Sequence, residues 1–239
     1  MNKLVVLIPF YNEEKKIENI KSVLDFIYKL HKNVKFIFCN DNSNDQSELI
    51  LQTYLQKLKY DFLIIRNKKN LGHGGSLIKL SQNFEFDNYS HVLTIDFDYQ
   101  YKLENLKKIF EDQDSDIVIG KRKYFDEGLF RQILTSVSEA IIFFKTLRYF
   151  KDTNCPIRLY KVKLFVEIWS RIPIDTLVPN IFSTYLAINQ KLYISRHTLS
   201  KNKLLSNESV SWGNNFFLKK IKLIKFAIKS SLQIAKFNL

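Results

Sequence analysis

Short apolar runs and amphipathic stretches alternate through the first half of this chain. Leu-Val-Val-Leu-Ile, within Lys3 to Pro9, is a run without polar interruption, as expected of a strand buried on both faces of a parallel sheet. A helix is predicted from Glu14 to Leu30, because Ile17, Ile20, Val23, Leu24 and Ile27 fall on one side. Val34 to Cys39 reads as a second strand, and the polar knot Asn40-Asp41-Asn42-Ser43-Asn44-Asp45 can cap a helix from Gln46 to Leu58. Phe62 to Ile65, His91 to Ile95 and Asp116 to Gly120 read as three further strands, with a short helix from Ser76 to about Gln82. Such alternation predicts a doubly wound, mostly parallel α/β sheet. In sheets of this kind ligands bind outside the carboxyl ends of the strands, where every polar cluster of this half falls.

After Arg122 the rhythm changes. Leu129 to Phe150 reads as a long helix, Asp152 to Tyr160 as a loop into a strand, and Lys163 to Ser170 as another helix. Thr184 to Ala187 lies in a helical pattern, Leu192 to Ser195 reads as a short strand, and Lys201 to Ser211 as a flexible polar loop. From Gly213 to Leu239 there are six lysines and no acid. Phe217, Ile221, Ile224, Ile228 and Ala235 fall near one helical face, with Leu218 and Leu232 beside them. A basic amphipathic helix of this kind lies in a membrane interface or packs on its own domain. The expected division is a globular domain over 1–211 and this helix over 212–239.

Candidate chemistry concentrates where the fourth strand ends. In Leu93-Thr94-Ile95-Asp96-Phe97-Asp98-Tyr99-Gln100, side chains i, i+2 and i+4 share one face if the backbone stays extended, so Asp96, Asp98 and Gln100 converge. Three oxygen ligands suit a hard cation such as Mg²⁺ or Mn²⁺; an acidic strand-to-loop turn has the same composition. Asn70-Leu71-Gly72-His73-Gly74-Gly75 holds three of the six glycines. Its backbone N–H groups can approach an anion, or the loop is a tight strand-to-helix turn. It lacks the Gly-Lys-Ser/Thr ending of a Walker loop.

The formal charge of +13 changes the picture only in pointing to a polyanionic partner: nucleic acid, an anionic membrane or a phosphorylated substrate. No RNP motif or zinc-ligand spacing supports nucleic acid. Two cysteines, Cys39 and Cys155, indicate neither a disulfide framework nor a Cys-based zinc site. The N-terminus does not read as a signal peptide, and no apolar run approaches the ~18 residues of a spanning helix. The expected location is the cytoplasm, either soluble or peripheral on the inner face of the membrane.

Six motifs occur in order: Pro9-Phe10-Tyr11-Asn12-Glu13-Glu14, Asp41-Asn42-Ser43-Asn44-Asp45, Asn70-Leu71-Gly72-His73-Gly74, Asp96-Phe97-Asp98-Tyr99-Gln100, Gly120-Lys121-Arg122 and Asp152-Thr153-Asn154-Cys155-Pro156-Ile157-Arg158-Leu159-Tyr160. Over about residues 3 to 200 this set resembles the family 2 glycosyltransferases of the GT-A fold. The similarity is greatest to the branch of dolichol-phosphate mannose synthase and bacterial polyprenyl-phosphate sugar transferases. The resemblance implies a nucleotide-sugar donor whose nucleoside meets Pro9, Tyr11, Glu13 and Asp41. It also implies a metal on Asp96 and Asp98 with Gln100 as third ligand, and phosphate contacts from the glycine loop at Gly72 and from Arg122 and Arg158. His197 matches a late segment that reaches the diphosphate or acceptor, and Arg196, Lys201 and Lys203 are expected to form a basic flap. Asn40 and Asn42 depart from the family's Asp-Asp-Gly-Ser, which leaves the donor base open and admits an inactive nucleotide-binding relative.

Transfer to a hydroxyl needs a carboxylate base near the acceptor. Val178-Pro179-Asn180-Ile181-Phe182, where many relatives carry an acid, has none. Asp152 and Asp175 are the remaining candidates beside Asp98, and either also reads as a cap. An acceptor phosphate, with a second pKa near ~6, is ionised without a base. A polyprenyl phosphate is therefore the expected acceptor, with a glycan hydroxyl as the alternative.

Overall fold

A computed structural model describes residues 3–82, 84–123, 129–202, 225 and 228–237. Its strands are β1 (Leu4–Phe10), β2 (Val34–Asn40), β3 (Asp61–Arg66), β4 (His91–Thr94), β5 (Ile117–Lys121), β6 (Arg158–Lys161) and β7 (Ile194–Thr198). They form one sheet in the order β3-β2-β1-β4-β6-β5-β7. β6 runs antiparallel to β4 and β5, and every other pair is parallel. All seven residues of β1 are buried, as its unbroken apolar run requires.

Helix α1 (Ile17–Leu30) buries the same five residues that the periodicity places on one side. Helix α2 (Ser47–Lys57) follows β2, and α3 (Gly72–Gln82) begins four residues before the expected start at Ser76. Gly72 has φ +75°, the left-handed region that favours glycine. A Cβ on Gly74 would fall 2.7 Å from the Leu177 carbonyl oxygen, so this glycine permits close packing of the first turn of α3 on the loop before Pro179. Helix α4 (Glu104–Glu111) has only eight residues, too few for periodicity to reveal, and buries Leu106, Ile109 and Phe110. Helix α5 (Leu129–Thr146) stops short of Phe150, because Leu147 turns to φ 54° while its N–H reaches the Phe143 carbonyl. Helices α6 (Val162–Ser170) and α7 (Pro179–Asn189) follow β6, and α7 is buried along ten of its eleven residues.

Residues 228–236 are helical. Ile234 is buried, Phe237 packs against Phe182 and Tyr185, and Lys145 Nζ donates to the carbonyls of Ala235 and Phe237. This part of the C-terminal segment therefore packs on α5 and α7. Of the expected loop from Lys201 to Ser211, Lys201 bridges to Tyr101, while the positions from Lys203 on, with the apolar Phe217, Leu218, Ile221 and Ile224, lie outside the described residues. Among the described residues no helix is long and apolar enough to cross a membrane.

Strand order decides where a ligand crevice opens. From β1 the chain steps outward through β2 to β3, then returns to place β4 on the other side of β1. The carboxyl ends of β1 and β4 thus flank a topological switch point, the place where open α/β sheets bind ligands.

Candidate functional site

Leu7 pairs with Thr94, so the residues that follow β1 and β4 emerge side by side. β4 ends at Thr94, yet the alternation continues beyond it. Phe97 and Tyr99 are buried, whereas Asp96, Asp98 and Gln100 stay part-exposed. Phe97 packs on Phe10, and the Tyr99 carbonyl accepts a bond from Asn19 Nδ2, which anchors the apolar half of the alternation to β1 and α1. The extended-strand premise fails at Thr94, but the shared face survives because these two rings are held in the core.

Asp98 Oδ2 accepts from Gln100 Nε2 at 3.1 Å and from Lys16 Nζ at 3.3 Å, and Lys16 also meets Glu13 at 3.2 Å. His73 Nε2, on the first turn of α3, lies 3.4 Å from Asp96 Oδ1. Burial pushes the Glu13 carboxyl up, with Asp98 and Asp96 adding to the rise and Lys16 opposing it. Burial pulls the Lys16 ammonium down, but Asp98 and Glu13 outweigh it and leave it above the ordinary lysine value. Lys16 and His73 escape a reading of the sequence. Lys16 looks like one more charge in a polar helix start, and its three-residue spacing from Glu13 is the sole signal.

The donor set fits a hard cation, since it offers carboxylate and amide oxygens and one carboxylate oxygen already holds an ammonium. Among the described residues no three His, Cys, Asp or Glu side chains cluster as a self-sufficient metal cage. Two carboxylates and an amide need ligands from water or substrate to complete a shell, as is usual for Mg²⁺.

The loops after β1 and β2 brace one another. Asn12 N–H donates to Ser43 Oγ and Glu13 N–H to Ser47 Oγ, while Asn44 N–H donates to Asn12 Oδ1. Pro9 is buried in β1, and Tyr11 is 45% exposed at the crevice rim. Asn40 is fully buried and organises its own turn, accepting from Ser43 N–H and donating to Glu48. Asp41 is a different matter from the nucleoside contact expected of it. Its carboxylate is 3% exposed and accepts from Asn67 Nδ2, Leu71 N–H and Gly72 N–H, each at 2.8 Å. The glycine loop does bring backbone N–H groups to an anion, but the anion is Asp41, because a buried carboxylate needs donors.

Four other expected positions are engaged with protein partners. Asp152 and Arg122, expected as a base and a phosphate contact, are one ion pair. Asp152 accepts the Arg122 backbone N–H at 2.8 Å and its Nη2 at 2.7 Å, and donates its own N–H to Glu139. Both carboxylate oxygens are engaged, which disfavours a role as base. Arg158 is fully buried, its guanidinium bonded to the carbonyls of Thr153 and Cys155 and to Thr184 Oγ1. It holds the β6 entry together and does not reach the crevice. His197 lies within β7 and pairs with Asp112 at 2.8 Å, an acid that also accepts from Ser115 and Ser195. Arg196, expected in a flap, sits in β7 against the Phe150 ring. Asp175 is exposed in the loop before α7. Cys39 and Cys155 are free and buried, and burial pushes their thiols up to about 11 and about 12.

Arg122 also lines a cleft of about 670 Å³ with Lys121, Lys123 and Lys151, closed by Ser136, Glu139, Tyr149 and Thr198. Lys121, Lys123 and Lys151 give the cleft a basic lining, while Arg122 is already paired with Asp152.

The chain matches the family model described as glycosyl transferase family 2 over residues 5–169. A protein of Methanocaldococcus jannaschii, described as uncharacterized, is 33% identical over 175 residues, covering 69% of this chain and 74% of that protein. An undecaprenyl-phosphate 4-deoxy-4-formamido-L-arabinose transferase of Photorhabdus laumondii is 26% identical over 192 residues, which are 77% of this chain. This chain spans 57% of that relative's length. Among solved structures, glucosyl-3-phosphoglycerate synthase from Mycobacterium tuberculosis, in complex with Mn²⁺, UDP and phosphoglyceric acid, superposes with a TM-score of 0.66. At 13% identity it covers 100% of this chain and 80% of that one, a likeness of fold.

Proposed function

Because this chain belongs to glycosyl transferase family 2 and has the GT-A fold, we propose that it moves a sugar, with inversion, from a nucleotide-sugar donor to a polyprenyl phosphate. The reading is carried by Asp96 and Asp98 at the switch point between β1 and β4, beside Glu13 and Lys16. Asp96, Asp98 and Gln100 would hold Mg²⁺ or Mn²⁺. The ion, when bound, neutralises charge on the departing nucleoside diphosphate. Tyr11 at the rim is an exposed ring available to a nucleoside, and Asp41 would act by holding the Gly72 backbone in place.

A phosphate acceptor is supported from two sides. The cleft lined by Lys121, Lys123 and Lys151, with Arg122 held by Asp152, offers cations to an anion. Of the base candidates, Asp152 is engaged by Arg122 and Asp175 is exposed in the loop before α7, and Val178 to Phe182 supply only buried, uncharged side chains. The relatives named as undecaprenyl-phosphate transferases point the same way. Approach to a membrane surface is supported by Lys225, Ile228, Lys229 and Leu232, which are exposed in the C-terminal segment.

The test supplies purified protein with UDP-, GDP-, CMP- and dTDP-sugars, Mn²⁺ and short polyprenyl phosphates, and reads nucleotide release. Release is expected with the lipid phosphate and is lost in Asp98→Ala at an unchanged melting temperature. Release with sugar acceptors alone overturns the lipid assignment, and a fully active Asp98→Ala overturns the site.

A further inference from the structure

The cation beside Asp98 in this structure is a lysine. Lys16 Nζ lies 3.3 Å from Asp98 Oδ2 and 3.2 Å from Glu13 Oε2, with the Lys16 side chain 16% exposed. Two observations set it apart from an ordinary surface ion pair. Lys16 is the N-cap residue of α1. The helix dipole presents its positive end there and disfavours a cation, so the placement depends on the acids in front of it. Its partner Asp98 comes from another segment, 82 residues away, brought alongside by the pairing of β1 and β4.

Asp98 Oδ2 is engaged twice, by Lys16 and by the Gln100 amide nitrogen. A divalent ion that used this oxygen together with the Gln100 carbonyl oxygen would require the amide to turn over and the ammonium to withdraw. Two cations on one carboxylate oxygen repel strongly in a part-buried crevice. Glu13 gives Lys16 a second anchor to retreat to, and an incoming diphosphate would offer a third.

We propose that Lys16 is a built-in competitor of the divalent cation, neutralising Asp98 while the metal is absent and thereby setting the metal affinity of the site. The proposal rests on the metal reading of Asp96, Asp98 and Gln100. Lys16 offsets the repulsion among Glu13, Asp96 and Asp98. It also makes metal and nucleotide binding mutually supportive, since the diphosphate favours the withdrawn lysine.

The experiment measures Mn²⁺ binding to the full chain by electron paramagnetic resonance, without nucleotide, with thermal melting as a check on folding. Lys16→Met and Lys16→Gln are expected to bind Mn²⁺ roughly tenfold more tightly than the unaltered chain. Lys16→Arg, which keeps the charge, should bind as the unaltered chain does, and Asp98→Asn should lose binding. Equal or weaker Mn²⁺ affinity in the folded Met and Gln variants overturns the competitor role while leaving the metal site standing. Absence of Mn²⁺ binding in every protein overturns the metal reading and this proposal with it.

Discussion

Replacing Asp41 by alanine separates a structural acid from a ligand contact. The carboxylate ties the end of β2 to the start of α3 through Asn67 Nδ2, Leu71 N–H and Gly72 N–H, all at 2.8 Å. A hydrogen bond to a charged acceptor contributes roughly 1.5–3 kcal/mol. The three do not add fully, because Leu71 and Gly72 are exposed positions where water can take over their N–H groups. Asn67 is 2% exposed and stays dry, so its amide nitrogen retains Ser76 Oγ alone. The net cost of Asp41→Ala is therefore about 3 kcal/mol, which for a chain of this size lowers the melting temperature by roughly 6–12 °C. Differential scanning fluorimetry reads this without any ligand. The same melts repeated with UDP and Mn²⁺ report whether the folded variant still binds nucleotide. An Asp41→Ala protein that melts within about a degree of the unaltered chain but no longer responds to nucleotide would refute the clamp and restore Asp41 as a direct nucleoside contact.

Arg158→Met should destabilise the fold by about 3 kcal/mol, since it removes a buried donor group from two carbonyls and a threonine. Donor affinity of the folded fraction should be unchanged, and a variant that melts normally but loses donor affinity would return Arg158 to the phosphates. For Asp112, burial alone would raise the carboxyl, but hydrogen bonds from Ser115, Ser195 and His197 bring it down to about 2. A folded-state value below the ordinary 3.8 stabilises above that pH and is lost as the pH falls toward about 2. Asp112→Asn should therefore flatten the decline of stability between about pH 4 and pH 2 in urea titrations, and an unaltered acid limb would show that the cluster is not formed.

The chain's pattern was most legible where local rules suffice. The buried run of β1 and the five inward residues of α1 follow from periodicity, because burial on two faces or one stripe constrains residue type position by position. Elements shorter than about ten residues, such as α4, give periodicity too little to work on. The convergence of Asp96, Asp98 and Gln100 was also readable, although the reason differs: buried Phe97 and Tyr99 fix the alternation after the strand has ended.

Asp41, Asp152, Arg158 and His197 have the right residue types for a site, and the order of motifs in the chain carries the family that places them at one edge. Whether such a side chain faces a ligand or a neighbouring loop depends largely on partners 26 to 85 residues away, although Arg158 also bonds the carbonyls of Cys155 and Thr153, 3 and 5 residues away. A buried charge takes the nearest donors that the fold supplies, and these are not adjacent in sequence. The same holds for Lys16, whose meeting with Asp98 exists because β1 and β4 are neighbours across the switch point. Sequence alone determined most of the longer elements, carried the likeness to the family and singled out the carboxylate pair as a candidate. The tertiary structure decided which charges are engaged with one another and which remain for a ligand, because electrostatic partners are set by distance in space.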